Sequence, residues 1–472
     1  MSSRNKLYQP LVMLFATVLI LVAFSFAETQ WNFGFFRSKK IDYISELLLT
    51  GKAQKVPLPT VIVSDSIIAK DSVAVVQRQF DITEIIDFNS DSTPELAPFF
   101  ESLTQTLKSK NKTRIAYFGD SMIEGDLISQ DFRSSMQSQF GGYGVGFVPI
   151  TSHVSGFRTS VIHSFKDWVT YNLLEEIPNN HSLGISGYAF VPSIMNTLDT
   201  TDINSGSWVK YVAVNKNHID KFNTIKLLYG KSDKSNYVIL NGKRYLLKGT
   251  EPVNELQIEQ PNYFTKVDAR FQCESPLDIY GFSLESDSGV FVDNFSFRGN
   301  SGLTLSKIKK EVYEATQAHL DYDLIVLEYG LNAISPQVKD FSWYELGMDK
   351  VIKLIRSSFP NTSILLVSVG DKAYKNGNEF YTDPSVPIMV NAQKRLAQKN
   401  NIAFWSLYDA MGGYGSMVKW VEGDTVLANK DYTHLNYKGA KKVGRLLYEK
   451  IMSEYRDYKK MKFSVASVGD KK

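Results

Sequence analysis

Cysteine is almost absent from this sequence: Cys273 is the single one among 472 residues. A disulfide within the chain and a cysteine-rich zinc site are both excluded. Cys273 itself is expected as a small buried apolar side chain rather than as a nucleophile. Histidine is scarce too, with six scattered residues, no HExxH and no carboxylate cluster at metal-ligand spacing. No metal and no other cofactor is expected. Net charge is lacking as well, since 53 Lys and Arg face 50 Asp and Glu. With no basic stripe either, nucleic acid is excluded as an electrostatically selected partner.

What is present is enough apolar material to fold. Aromatic content is 13% and charged content 22%, and 472 residues exceed one ordinary core, so two globular units plus appendages are expected. Near the start, Arg4 and Lys6 precede the uncharged run LVMLFATVLILVAFSFA at 11–27. Residues 1–27 therefore read as a signal peptide or a transmembrane anchor, with Ser25 and Ala27 at the small-x-small positions of a cleavage site. Either reading exports the remainder of the chain, and no cysteine stands where a lipoprotein needs one. Residues 28–110 are expected as a stalk or linker with short helices. IDYISELLL is one such helix and ELAPFFESLTQTLKSK another, the latter with Phe99, Leu103 and Leu107 at steps of four.

Beyond residue 110 the pattern becomes α/β. In RIAYFGDSMIEGD an apolar run at 115–118 ends in Gly119-Asp120-Ser121, and DLISQDFRSSMQSQF then presents Leu127, Ile128, Phe132 and Met136 on one helical face. The next stretch, GGYGVGFVPI, lacks the lysine and helix start of a phosphate loop, so its glycines are expected to let a loop pass close to the active site. Residues 155–289 change to short alternating segments with an Asn241-Gly242 hairpin signal, predicting an inserted antiparallel β-sandwich. Strands and helices then alternate again: VFVDNF, DLIVLEYG, SILLVSVG and IAFWSLYD, with a last helix carrying Val443, Leu446, Leu447 and Ile451. Residues 111–154 and 290–460 are thus predicted to form one parallel sheet covered on both faces, with 461–472 as a polar tail.

In such a sheet the active site lies at the carboxyl ends of the strands. A serine at a sharp strand-to-helix turn is presented as a nucleophile. Asp431 and His434 precede the last helix, and their three-residue offset lets the carboxylate hold the imidazole while its other nitrogen faces Ser121. That is the logic of a catalytic triad, with Ser121 attacking a carbonyl, His434 moving the proton and Asp431 stabilising the imidazolium. Oxyanion donors are expected from the Ser121 amide, the Gly302 amide in RGNSG and the Asn332 side chain, with Gly299 standing near Gly302. Asp120 is expected to brace the turn.

These blocks resemble the SGNH (GDSL-type) hydrolases: FGDSMIEGD, GNSG, GLNA and DYTHL place Ser121, Gly302, Asn332 and His434 at the four name-giving positions. The likeness covers about residues 112–150 and 292–455, and departs from the pattern at Met122 and Ala333. It implies a three-layer, flavodoxin-like α/β fold. The order of parts, with a β-sandwich inserted before the second block, is similar to exported O-acetylpeptidoglycan esterases, whose insertion is similar to carbohydrate-binding modules. That resemblance implies an O-acetylated cell-wall glycan as substrate, at the muramic acid C6 oxygen. With export and no disulfide, it also implies a Gram-negative periplasm or cell envelope, anchored in the inner membrane if the N-terminal segment is retained.

Two alternatives stay open. The same triad could serve a membrane-associated polysaccharide O-acetyltransferase fed by a membrane acyltransferase partner, because an acyl-serine can be resolved by water or by a sugar hydroxyl. The chain could instead be a non-catalytic glycan-binding envelope protein. Trp168, Trp208, Tyr211 and Tyr237 of the insertion are expected in its core, with stacking on sugars as the alternative. His163 and His181 read as ordinary polar or core residues, as does His153, whose position after the glycine-rich loop also allows it to line the cleft.

Overall fold

The computed structural model describes residues 84–89, 93–193 and 206–469, together with an antiparallel pairing of Asn32–Phe33 with Phe36–Arg37. The apolar run at 11–27, the amphipathic stretch at 41–49 and the linker at 56–66 lie outside the described residues. Among the described residues no helix is long and apolar enough to cross a membrane.

Six strands form the central sheet: β1 (Ile86–Asp87), β2 (Lys112–Gly119), β3 (Gly289–Ser296), β4 (Leu324–Glu328), β5 (Ser363–Val367) and β6 (Ala403–Trp405). Their order is β3-β2-β4-β5-β6-β1, parallel except for β1 against β6. Every residue of β4 and β5 is buried, as a parallel sheet covered on both faces requires. The helices are α1 (Ala97–Lys108), α2 (Ser129–Phe140), α3 (Lys310–Leu320), α4 (Ser342–Ser358), α5 (Ser385–Lys399), α6 (Leu407–Met411), α7 (Ser416–Glu422) and α8 (Tyr437–Gly469). One layer holds α1, α2 and α8; the other holds α3, α4 and α5.

Residues 84–89 and 93–110, expected within the stalk, belong to this unit. The Asp87 carboxylate accepts the Glu95 amide at 2.7 Å, and Glu95 in turn accepts the Ile364 amide at 2.8 Å and pairs with Arg356, which pins the segment beside β5. On α1 the core face is Phe99, Phe100 and Leu103 rather than the predicted Phe99, Leu103 and Leu107. Phe100 packs on Tyr455 and Tyr458 of α8, and Leu107, two turns further along, is left 51% exposed.

The insertion is the predicted sandwich. One sheet contains Lys243–Gly249, Ser232–Leu240, Lys266–Gln272, Trp208–Ala213 and Val161–Lys166; the other contains Asn254–Phe264, Phe222–Tyr229, Ile279–Glu285, Tyr188–Pro192 and Trp168–Asn172. Val209, Ile225, Val238 and Phe282 meet between them. Asn241 and Gly242, at φ of 49° and 85°, make the two-residue hairpin that their sequence announces.

The glycine-rich stretch after α2 does a different job from the one expected. Gly146–Val148 pairs with Ile279–Glu285, so the sandwich begins before residue 155. A Cβ on Gly142 would lie 2.9 Å from the Val290 nitrogen, and one on Gly146 would lie 2.3 Å from Asp293 Oδ1. These glycines let the chain cross the first half of β3, at the end of the sheet opposite the strand termini. Beside that crossing a buried ionic cluster joins the insertion to the sheet. Arg114 of β2 reaches Asp293 of β3 at 2.7 Å and Glu285 of the insertion at 3.0 Å, Lys112 reaches Glu285 at 2.7 Å, and the Tyr322 hydroxyl donates to Asp293 at 2.6 Å.

Candidate active site

Three adjacent strands, β3, β2 and β4, end side by side, with Ser296, Gly119 and Glu328 in register. Ser121 follows β2, Gly302 follows β3 and Asn332 follows β4, so the topology brings these loops to one edge. Gly119 is needed at the turn, because a Cβ there would lie 2.9 Å from Ile123 Cγ1 and 3.1 Å from the Glu328 carbonyl oxygen. Asp120 is buried beneath, accepting the Met122 amide at 3.0 Å and the Asn332 side chain at 2.9 Å. Burial pushes its pKa up to about 6, against the Met122 amide, His434 and Asn332. It therefore braces both the serine turn and the neighbouring loop. The rest of the turn is clamped by Asp126, which takes two bonds from Arg133 at 2.6 and 2.9 Å and one from the Ser129 hydroxyl at 2.6 Å. Although burial opposes it, Arg133 and Arg158 hold the Asp126 carboxyl well below the usual carboxylate range.

The histidine arrives from the other side of α2. Gly444 lets α8 approach α2 closely, since a Cβ there would lie 2.5 Å from the Ile128 carbonyl oxygen. Just before α8, Asp431 Oδ1 accepts the amides of Thr433 and His434 at 3.0 and 2.9 Å, and Oδ2 meets His434 Nδ1 at 2.8 Å. Burial works against the Asp431 charge, but the His434 amide and ring and the Thr433 amide keep its pKa below the ordinary value. An ionised carboxylate only accepts, so Nδ1 carries the proton and Nε2 is the acceptor. Ser121 Oγ lies 2.9 Å from that Nε2 and donates to it.

Tyr432, inside this turn, adopts φ of 53°, a left-handed conformation that bulky residues avoid. It is held there from three directions. Its ring stacks on Phe380 at 3.6 Å and 7°, its carbonyl accepts the Ala373 amide at 2.9 Å, and its hydroxyl donates to Glu422 at 2.6 Å. Phe380 belongs to a hairpin, Ala373–Asn376 with Glu379–Thr382, that no periodic signal in the sequence announces.

Of the expected oxyanion donors, the Ser121 amide is the one that no other group among the described residues claims. The Gly302 amide donates to Asn300 Oδ1 at 2.8 Å, and Asn332 Nδ2 donates to Asp120 Oδ2 and to the Asn300 carbonyl at 2.9 and 3.0 Å. Asn300, fully buried, thus organises both loops, a role that sequence reasoning missed although the residue lies within GNSG. Gly302, at φ of 92°, has no room for a Cβ, with Met348 Sδ and Tyr329 Cγ both 2.9 Å away. Gly299 has open space at the same test.

The remaining candidates fall elsewhere. Cys273 is buried in the insertion, where burial pushes its thiol up to about 12. His163 is buried against Tyr211, and His181 pairs with Asp278 at 2.6 Å. His153 is exposed. Tyr211 is fully buried and the Trp168 ring nitrogen donates to the Trp208 carbonyl, while Trp208 and Tyr237 are half-buried beneath Lys210 and Arg244.

The fold and the site together define a class: a three-layer α/β protein in which a serine from one loop meets an aspartate and a histidine from another at the carboxyl edge of a parallel sheet. No family model matches the chain, and no curated protein matches it in sequence. Among solved structures, one of a peptidoglycan O-acetylesterase in action matches with a TM-score of 0.64 at 21% identity, covering 79% of this chain and 99% of that one. The two share a fold, insertion included, in keeping with the resemblance to SGNH hydrolases. An acetyl xylan esterase matches over 34% of this chain and 80% of its own at 18% identity, with a TM-score of 0.27. A family two carbohydrate esterase from Clostridium thermocellum matches over 54% and 96% at 9% identity, with a TM-score of 0.26. Scores this low carry no argument.

Proposed function

We propose that this protein is a serine esterase that removes O-acetyl groups from cell-wall polysaccharide, with peptidoglycan as substrate, after export to the periplasm or cell envelope. The observation that carries the reading is the unbroken relay from Asp431 through His434 to Ser121, at 2.8 and 2.9 Å. Ser121 Oγ attacks the acetyl carbonyl carbon as its proton passes to His434 Nε2. The tetrahedral intermediate collapses when the C–O bond to the sugar breaks and His434 returns the proton to the departing sugar oxygen. Water then attacks the acetyl-serine, giving its proton to His434, and acetate leaves as Ser121 recovers a proton.

The Ser121 amide receives the oxyanion first. The Gly302 amide and Asn332 join it by exchanging their bonds to the neutral oxygens of Asn300 for the developing charge, a trade favoured because charge-assisted bonds are the stronger, while Asn332 keeps its bond to Asp120. Export rests on the apolar run at 11–27, and the glycan substrate on the likeness in fold and in the order of blocks.

The test is acetate release from aryl acetates and from O-acetylated peptidoglycan by wild type and Ser121→Ala. Loss of activity by at least about a thousandfold in the variant is expected. Wild-type release no faster than the variant's on every ester would refute the reading.

A further inference from the structure

Lys372 lies in the loop after β5, at the same edge of the sheet as Ser121. Three bonds fix its position. The amide of the next residue, Ala373, donates to the Tyr432 carbonyl within the Asp431–His434 turn. The Lys372 ammonium itself donates to the carbonyl of Ile334, two residues beyond Asn332, at 3.3 Å. Its own carbonyl accepts the Asp383 amide at 2.7 Å, so the backbone is pinned on both sides. The side chain therefore spans the rim between the triad turn and the Asn332 loop.

An ammonium has three protons to donate. Here one long bond to a neutral carbonyl uses one of them, and among the described residues no carboxylate pairs with this half-buried cation. The neighbouring carboxylates make their bonds to other groups. Asp371 Oδ2 accepts from Met417, Thr382 and Ser416 and its Oδ1 from the Lys372 amide, Asp431 holds His434, and Asp120 holds Met122 and Asn332, while Asp383 Oδ1 accepts from Ser385 and its Oδ2 has no hydrogen-bond partner among the described residues. Partial burial of an ammonium without a counter-charge is unfavourable unless something supplies one.

We propose that Lys372 is a specificity-determining residue that binds an anionic group on the sugar carrying the ester, so that a carboxylate-bearing O-acetyl sugar is preferred to a neutral one. This rests on the esterase reading and adds the substrate class to it: an acetylated amino sugar whose ring also bears a free acid, as muramic acid does through its lactyl ether wherever no stem peptide is amide-linked to that carboxyl. The carboxylate would replace the Ile334 carbonyl as partner in a charge-assisted bond while the acetyl group faces Ser121.

Binding can be measured without turnover on the full chain carrying Ser121→Ala. Calorimetry with 6-O-acetyl-N-acetylmuramic acid and 6-O-acetyl-N-acetylglucosamine, which differ in the lactyl carboxylate, is expected to show about a tenfold preference for the acid, or about 1.4 kcal/mol. The preference should weaken with added salt, vanish in Lys372→Met and persist in Lys372→Arg. Should Lys372→Met fail to fold, Lys372→Gln is read in the same way. Equal affinities in the Ser121→Ala parent, or an undiminished preference without Lys372, would overturn the proposal. Ser121-dependent acetate release from a neutral aryl acetate is measured separately: its absence refutes the esterase and leaves the binding preference to be judged alone.

Discussion

Glu328, at the end of β4, is fully buried against the serine turn, and its two oxygens are treated unequally. The Tyr117 hydroxyl donates to Oε2 at 2.6 Å, whereas Oε1 finds no partner among the described residues. Burial pushes its pKa up to about 8 from an ordinary 4.5, with the Tyr117 bond opposing and the Asp120 charge adding to the rise. The native state therefore keeps this carboxyl protonated at pH 7, while the unfolded chain loses the proton above about pH 4.5. Rising pH then favours unfolding: the stability this group contributes is complete below pH 4.5, is lost progressively up to about pH 8, and is flat beyond. A pKa difference of about 3.5 at about 1.36 kcal/mol each gives a loss of order 5 kcal/mol across that window. Glu328→Gln keeps the shape and an acceptor for Tyr117 but has no proton to lose. Urea unfolding of wild type and variant at pH 5, 6, 7 and 8 should show the variant gaining on wild type by about 1.4 kcal/mol per pH unit. The slope is the readout, because the new amide nitrogen finds no acceptor where Oε1 stood and lowers stability equally at every pH. Parallel curves for the two proteins would refute a neutral Glu328.

Three more outcomes are expected from the geometry. Phe380→Ala removes the ring that holds Tyr432 in its left-handed conformation, so kcat on an aryl acetate should fall about tenfold or more with KM little changed, and Phe380→Tyr should retain activity; equal kcat in the alanine variant would show that the stack does not position His434. Gly302→Ala forces a Cβ against Met348 and Tyr329 at a positive φ, and should cost about 1–3 kcal/mol in urea unfolding as well as activity. Arg114→Leu strips the counter-charge from Asp293 and weakens that on Glu285, at a cost of about 3–5 kcal/mol by the same measurement.

The legible parts were those written as local patterns. Five of the six sheet strands are short apolar runs ending in turn residues, and the Asn241-Gly242 hairpin declares its turn type. Ser121, Asp431 and His434 could be paired on paper because a parallel sheet sends every such loop to one edge. What escaped was whatever depends on contacts distant in sequence. β1 is two residues long and exists through Asp87 and Glu95 rather than through periodicity. The glycines at 142–146 signal close approach, but not to what; the partner is β3, some 150 residues later. Asn300 and Lys372 look like ordinary polar loop residues, and only their partners give them a meaning.

The position of β2 bears on how the chain is made. Its two neighbours in the sheet, β3 and β4, are both encoded after the insertion, about 170 and 205 residues beyond the end of β2. During synthesis from the N-terminus, β2 therefore emerges with both edges unpaired and stays so until the sandwich has been made. Every strand of the sandwich precedes β3 in the chain, so the sandwich can close first, and the sheet then assembles around the waiting strand. The strand that leads to the nucleophile is thus open to mispairing in the nascent chain until β3 and β4 have been made.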